Sequence, residues 1–391
     1  MNGAGCGGKD GDDGRHGDGG TRREFLRTAA LAAALAGLGG RALTAAGRKK
    51  AARSGKGMTI LILGGTKFLG PAVVEAAMKR GHTLTLFNRG KTNPGLFPDV
   101  EKLQGDRDGN LKALEGRRWD AVVDTSGYVP RVVRDSATLL RESGQYVFIS
   151  TLSVYSDGKT PNQDESGPVA TLKDPTVEKV DGETYGALKA LCGEATEQAM
   201  PGRVTRIRPG LIVGPEDPTD RFTYWPVRVA RGGETLAPGT PDDPVQVIDV
   251  RDLGEWTVKV IEDRAFGIYN AVSPPFGIGR LLDACNQVGG GKATFTWADA
   301  AFLEEQKVAP WSDMPVWVPP TGDEAGFARF SSARAVARGL TFRSIADTSK
   351  ATLEWFRTEP ADHQAKLKAG LTADREAEVL AAWHARPPAK G

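Results

Sequence analysis

The sequence predicts an α/β protein, a doubly wound parallel sheet with a smaller C-terminal lobe. Two observations carry the prediction of the sheet. From Met58 onward, short apolar runs alternate with segments of helical period, the pattern of parallel strands joined by crossover helices. A glycine-rich turn stands between the first apolar run and the first helical segment. A third observation predicts the lobe: beyond Pro215 the alternation gives way to a stretch rich in proline, glycine and aromatic residues, which suits irregular segments around a pocket.

The elements follow in chain order. The segment 21–40, "TRREFLRTAALAAALAGLGG", reads as a leader. Thr21, Arg22, Arg23, Phe25 and Leu26 match a twin-arginine export signal. The alanine-rich stretch 28–38 is far short of the roughly 20 apolar residues that span a bilayer, so no stable membrane anchor is expected. A cut near 44–46 would leave the basic spacer "GRKKAARSGKG" before Met58; 1–57 is therefore read as leader and spacer. The protein is expected to be exported, periplasmic or extracellular, with the twin-arginine machinery as a partner. If Met58 is the true start, it is cytoplasmic.

"TILIL" (59–63), "TLTLF" (83–87), "AVVDT" (121–125), "YVFIS" (146–150) and "VTRIR" (204–208) read as strands. Between them 71–81, 131–144 and 184–200 read as helices. Pro71 suits a first helical turn and Gly81 a C-terminal stop.

With 391 residues and a net charge of +2, the chain can bury a large core and shows no global bias toward nucleic acid or membrane. No basic stripe with interleaved aromatics marks an RNA face. Beyond the leader only Cys192 and Cys285 remain, too few for a disulfide framework. His16, His82, His363 and His384 lack ligand spacing, so no metal is expected.

Gly64, Gly65 and Gly70 let the backbone turn tightly and approach a pyrophosphate at a helix N-terminus. The whole turn, with Thr66, Lys67, Phe68 and Leu69, is the candidate cofactor-binding loop. Lys67 replaces the middle glycine of the usual pattern and brings a cation near the phosphates. The second strand ends "FNRGK", where Asn88 and Arg89 stand in place of the acidic residue that an NAD enzyme offers to the ribose hydroxyls. Lys67 and Arg89 can both approach a 2′-phosphate, which favours NADP(H) over NAD(H); the alternative for Arg89 is a solvated surface side chain.

Tyr185 and Lys189 stand four apart in a helical pattern, on one face, where an ammonium can act on a phenol and lower its pKa. The hydroxyl cluster in "FISTLSVYSDG" lies at the end of a parallel strand, where open α/β sheets place their ligands.

Over roughly 58–275 the chain resembles the extended short-chain dehydrogenase/reductases, the NAD-dependent epimerase/dehydratase family. The landmarks are "GGTKFLG", "GD" at 105–106, "FISTLSVYSD", "YGALK", "RPGLIVGP" (208–215) and "QVIDVRDLGEW" (246–256). The resemblance implies a Rossmann-like domain over 58–215. It assigns Tyr185 as general acid/base, Lys189 as the residue that lowers its pKa and holds the nicotinamide ribose, and Thr151 as the hydroxyl that orients the substrate oxygen. Ser150 and Ser153 rank behind Thr151. Asp106 matches an adenine contact, and Arg107 beside it is counted with the cofactor-binding residues. The chain departs from the family at Lys67 and at "DTSGYVP" (124–130), where a small-residue stretch is usual, and so resembles an atypical branch. Some atypical members, similar to chloroplast stem-loop RNA-binding proteins, carry a comparable glycine loop but have lost the tyrosine or lysine; this chain keeps both.

The segment 216–391 is expected to form mainly the substrate-binding lobe, with 245–272 returning to the main sheet. Arg221, Tyr224 and Trp225 are candidates to bind a sugar, with ordinary packing as the alternative. "ATFTWADAAFLEEQ" and "WSDMPVWVPP" are read as building that lobe, and the tail from Ala361 as a charged helical cap. The expected activity is that of an NAD(P)-dependent oxidoreductase or epimerase on a hydroxyl or keto carbon of a small, sugar-like molecule.

Overall fold

A computed structural model of the chain describes residues 57–387; the leader lies outside the described residues. The chain begins with β1 (Thr59–Leu63), α1 (Leu69–Lys79), β2 (Thr83–Asn88), β3 (Glu101–Gln104), β4 (Ala121–Asp124), α2 (Pro130–Leu139), β5 (Tyr146–Ile149), α3 (Tyr185–Ala199) and β6 (Val204–Pro209). Then come β7 (Leu211–Val213), α4 (Tyr224–Ala230), β8 (Gly233–Pro238), β9 (Pro244–Val245), β10 (Val247–Asp249), α5 (Val250–Glu262) and β11 (Gly267–Ala271). The last part holds β12 (Phe276–Gly277), α6 (Ile278–Gly289), β13 (Ala293–Ala298), α7 (Ala300–Glu305), α8 (Ala333–Ala337), α9 (Ile345–Phe356), α10 (Ala361–Ala365) and α11 (Ala373–His384).

Seven strands form one sheet in the order β11-β6-β5-β4-β1-β2-β3, and every pairing in it is parallel. The fold is Rossmann-like. β1 and β4 carry buried apolar runs, 60–63 and 121–123, because helices cover both faces of the sheet. On one face α1 and α5 pack together over a core that holds Val73, Val74, Leu253 and Trp256. On the other, α2 and α3 pack over Val133, Ala137 and Cys192. β1 lies between β2 and β4, so the order reverses there, and a crevice opens beyond the strand ends.

β3 escapes the sequence reading because it is an edge strand, "EKLQ", with no residue fully buried. Of 245–272 only β11 joins the main sheet; β10 pairs with β7 and β9 with β12 in small two-stranded sheets. The second core packs β8 and β13 with Trp225, Leu281 and Trp317. Tyr224 and Trp225 belong to it, each nearly or fully buried, which corrects their reading as sugar-stacking residues. Trp225 donates its indole N–H to the Pro315 carbonyl at 2.7 Å. The tail packs Val379 and Leu380 of α11 against the same core. No described helix is long and apolar enough to cross a membrane.

Candidate active site

A cleft of about 870 Å³ opens at the C-terminal ends of the parallel strands. Its walls come from the glycine turn, the ends of β2, β4 and β5, and the segments around 217–221 and 311–330.

At one end Gly64 (φ 106°) and Gly65 (φ 90°) adopt left-handed conformations straight after β1. A Cβ on Gly70 would stand 2.6 Å from the Gly65 carbonyl carbon, so only glycine lets α1 begin this close to the turn. α1 has no side-chain cap, and 64–69 line the cleft. Uncapped helix N–H groups beside a glycine cradle fit a dinucleotide's pyrophosphate. Thr66 accepts from the Asn93 side chain through its carbonyl at 3.0 Å, which holds the loop. Phe68, at φ 48°, carries strain at the helix entry. Lys67 has its pKa lowered by partial burial and by Lys368.

Asn88 donates to the Gly64 carbonyl at 3.0 Å and accepts from Gly90 N–H, so it fixes the loop. Arg89 lines the cleft and is exposed. Asp106 borders the cleft and accepts from the Asp108 N–H in a turn. Arg107 borders it too, but its fork closes on Asp124: Nη1 to Oδ1 at 2.6 Å and Nη2 to Oδ2 at 2.8 Å. Tyr146 donates its hydroxyl to the same fully buried carboxylate. Both Arg107 Nη groups are thus committed beneath the cofactor end, while its Nε has no hydrogen-bond partner among the described residues.

Thr151 and Tyr185 line the same cleft. Thr151 follows β5 and accepts from the Ser153 N–H at 3.1 Å. Tyr185 opens α3; burial and Tyr128 raise its phenol pKa, while the Thr151 hydroxyl and the Arg221 charge pull it down. Ser150 and Ser153 also reach the wall. Lys189 does not line the cleft. Its Nζ donates to the Gly127 and Ile149 carbonyls at 2.7 and 2.6 Å and lies over the Phe148 and Tyr128 rings. Burial lowers its pKa to about 8. Helical spacing puts Lys189 on the expected face, but the cation that the phenol feels is Arg221, from the distant segment after β7.

Sequence reasoning passed over Tyr128, Asp217 and Trp311. Tyr128 lines the wall 6.4 Å from the Tyr185 ring, centroid to centroid; Asp217 and Trp311 flank Arg221. The "DPT" run at 217–219, in which Asp217 accepts from the Thr219 N–H and hydroxyl, was the available signal for the second. Among the described residues, no group of three or more His, Cys, Asp or Glu side chains is arranged to hold a metal ion.

A parallel sheet with a glycine-cradled helix N-terminus at its switch point, and Tyr185 and Thr151 in the wall of the same crevice, defines a Rossmann-like α/β protein with a polar cleft. The profile of the NAD dependent epimerase/dehydratase family matches residues 60–271, and the chain belongs to that family. It is 28% identical over 252 residues to the chloroplast stem-loop binding protein of 41 kDa b of Arabidopsis thaliana, a match that covers 59% of this chain and 63% of that protein's length. Among solved structures it resembles UDP-N-acetylglucosamine 4-epimerase from Bacillus cereus (TM-score 0.55, 16% identity, 76% of this chain and 99% of that one). It also resembles the Bacillus cereus UDP-glucuronic acid 4-epimerase in complex with NAD (0.54, 14%, 76% and 98%). A third likeness is to the human epimerase family protein SDR39U1 (isoform2) with NADPH (0.51, 18%, 76% and 99%). At these identities the structural likeness concerns the fold.

Proposed function

We propose that the protein is an NADP(H)-dependent oxidoreductase or epimerase acting on a hydroxyl or keto carbon of a sugar-like substrate. The observation that carries this reading is that Thr151 and Tyr185 meet in the wall of the same cleft whose far end is the glycine turn.

The residues take distinct roles. Tyr185, kept protonated by burial, donates its phenol proton to a keto oxygen or recovers it from a hydroxyl. Thr151 hydrogen-bonds the same oxygen and holds it against the phenol. Lys189 acts by positioning: it ties the loop after β4 to the end of β5 through two carbonyls, beneath the Tyr128 ring. Gly64, Gly65, Thr66, Lys67, Phe68, Leu69 and Gly70 would hold the dinucleotide, with Asn88 bracing the loop and Asp106 at the adenine end. Arg89, exposed where β2 ends, supports the 2′-phosphate preference. Bound there, the nicotinamide would supply or accept the hydride.

We further propose that the leader 1–57 directs twin-arginine export of a protein that folds around its cofactor first. Free nicotinamide cofactor is scarce outside the cytoplasm, so a closed cycle that oxidises and re-reduces one substrate suits an exported protein. The test is to purify the exported form, denature it and assay the released small molecules. Stoichiometric NADP(H) supports the reading; an empty protein that also fails to bind added NADP(H) or NAD(H) removes it.

One observation favours a second reading, a Rossmann scaffold that binds NADP or RNA without catalysis: the likeness to a protein named for stem-loop binding. The retained Tyr185 and Lys189 and the near-neutral charge oppose it. A structured RNA that bound tightly, together with full function in a Tyr185→Phe variant, would establish it instead.

A further inference from the structure

At the substrate end of the cleft one cation, Arg221, is held in an unusual way. Arg221 donates through Nε to the Thr219 hydroxyl at 3.1 Å, and its guanidinium lies 5.0 Å from the centroid of the Trp311 ring. Thr219 in turn donates its hydroxyl and N–H to Asp217 Oδ1 at 2.7 and 2.9 Å. Asp217 is 1% exposed, and its second carboxylate oxygen has no hydrogen-bond partner among the described residues. That chain clamps the inner edge of the guanidinium and supplies a countercharge. The two Nη groups have no hydrogen-bond partner among the described residues, and Arg221 lines the cleft beside Tyr185.

The surroundings say what those donors can take. Trp311, Val316, Phe327 and Phe330 make most of the rest of this wall apolar, and the Gln246 amide beside them is spent on Ser273 and Phe330. The other cleft-lining cations, Lys67, Arg89, Lys91 and Arg107, belong to the loops after β1, β2 and β3; Lys67 alone comes within the field of this segment, through Lys368, whose Nζ donates to the Pro218 carbonyl at 2.9 Å. A planar guanidinium with two free coplanar donors matches a carboxylate bidentately. One such fork in an apolar wall does not match a nucleotide diphosphate, which brings more negative charge and needs more donors. A neutral polyol, with its hydroxyls out of the guanidinium plane, would take up one donor and leave the other unpaired against the apolar wall. The backbone around the clamp is strained: Glu216 (φ 66°), Asp220 (φ 59°), Trp311 (φ 67°) and Val316 (φ 70°) all sit in the left-handed region, and a β-branched valine is rare there. Strain of this kind gathers at ligand clamps.

We propose that Arg221 is the anchor for a carboxylate on the substrate, so that the protein takes a small polyhydroxy acid, of the uronate or aldonate class, without a nucleotide attached. The acid is held by its carboxylate at Arg221, and a neighbouring hydroxyl or keto carbon faces Tyr185 and Thr151. The inference rests on the redox reading above for the chemistry, but its binding claim can be tested apart from it.

Isothermal titration of the full chain, with and without NADP, against glucuronate, gluconate and glycerate, each paired with glucose, sorbitol or glycerol, provides the test. At least one acid binds, its neutral counterpart is about 10-fold weaker or worse, and Arg221→Gln weakens the acid by about 30-fold or more. Arg221→Lys, which keeps the charge but not the fork, recovers only part of the loss. Unchanged NADP affinity in both variants shows that they remain folded. Failure of all three acids to bind, neutral partners that bind as well, or an Arg221→Gln variant with intact acid binding overturns the proposal. Acid binding by a protein that binds no nicotinamide cofactor would leave the anchor standing and remove the redox reading.

Discussion

Gly186 rests against Ser153 so closely that a Cβ on it would stand 2.1 Å from the Ser153 carbonyl oxygen. This contact seats the first turn of α3 on the segment after β5 and brings Tyr185 beside Thr151. Both atoms involved are backbone, so neither can swing aside. Gly186→Ala should therefore destabilise the fold by about 1–3 kcal/mol through overpacking. It should also cut turnover while NADP affinity holds, because the glycine turn is built from other residues. Denaturant unfolding and parallel kinetics check both halves.

Asp124 is the buried anion that answers Arg107, and it also accepts the Tyr146 hydroxyl at 2.9 Å. Asp124→Ala leaves a guanidinium buried without its partner and should cost about 3–5 kcal/mol. Replacing both residues, Asp124→Leu with Arg107→Met, should recover part of that loss, since apolar pairs of similar size can stand in for a buried ion pair. The comparison is made by denaturant titration of the two variants.

Arg89 tests the cofactor preference. Arg89→Ala should weaken NADP by about 10-fold and leave NAD nearly unchanged, because only the 2′-phosphate would lose a partner. Equal losses for the two cofactors would mean that the side chain touches something they share.

His363 on α10 joins the tail to the loop that carries Arg221. Its Nε2 lies 2.9 Å from Asp220 Oδ2, and its Nδ1 lies 3.0 Å from Glu359. Burial disfavours the charged ring, but the hydrogen bonds to Asp220 and Glu359 outweigh it, so the pKa is raised above 6.5. A raised folded pKa means that the imidazolium contributes its full stability below the unfolded value and loses it as the pH climbs through the folded one. The gap in melting temperature between wild type and His363→Gln should be widest below about pH 6.5 and close at higher pH. A gap that widens toward alkaline pH would contradict this contact.

The sheet was legible because its central strands are buried on both faces and so appear as short apolar runs; β3, polar and at the edge, left no such trace. The glycine turn was legible because it is local, fixed by spacing within one turn; helical spacing likewise put Tyr185 and Lys189 on one helix but did not show that the Lys189 ammonium is spent on two backbone carbonyls. What could not be read is what joins residues far apart in the chain. Arg221 meets Trp311 across 90 positions, and Lys189 finds its acceptors at Gly127 and Ile149. Tyr224 and Trp225 show the same limit: aromatic residues near a pocket can line it or pack beneath it, and composition does not say which.

In the proposed reaction Tyr185 moves the proton while nicotinamide carries the hydride. Rapid mixing in a single turnover follows the near-ultraviolet absorbance of the bound nicotinamide, which a closed cycle changes transiently, as the full chain meets whichever acid it binds, in wild type and Tyr185→Phe. Hydride transfer is expected in the wild type and a loss of about 10²–10⁴-fold in the variant, with NADP affinity unchanged. A variant that transfers hydride as fast as the wild type would contradict this role of Tyr185.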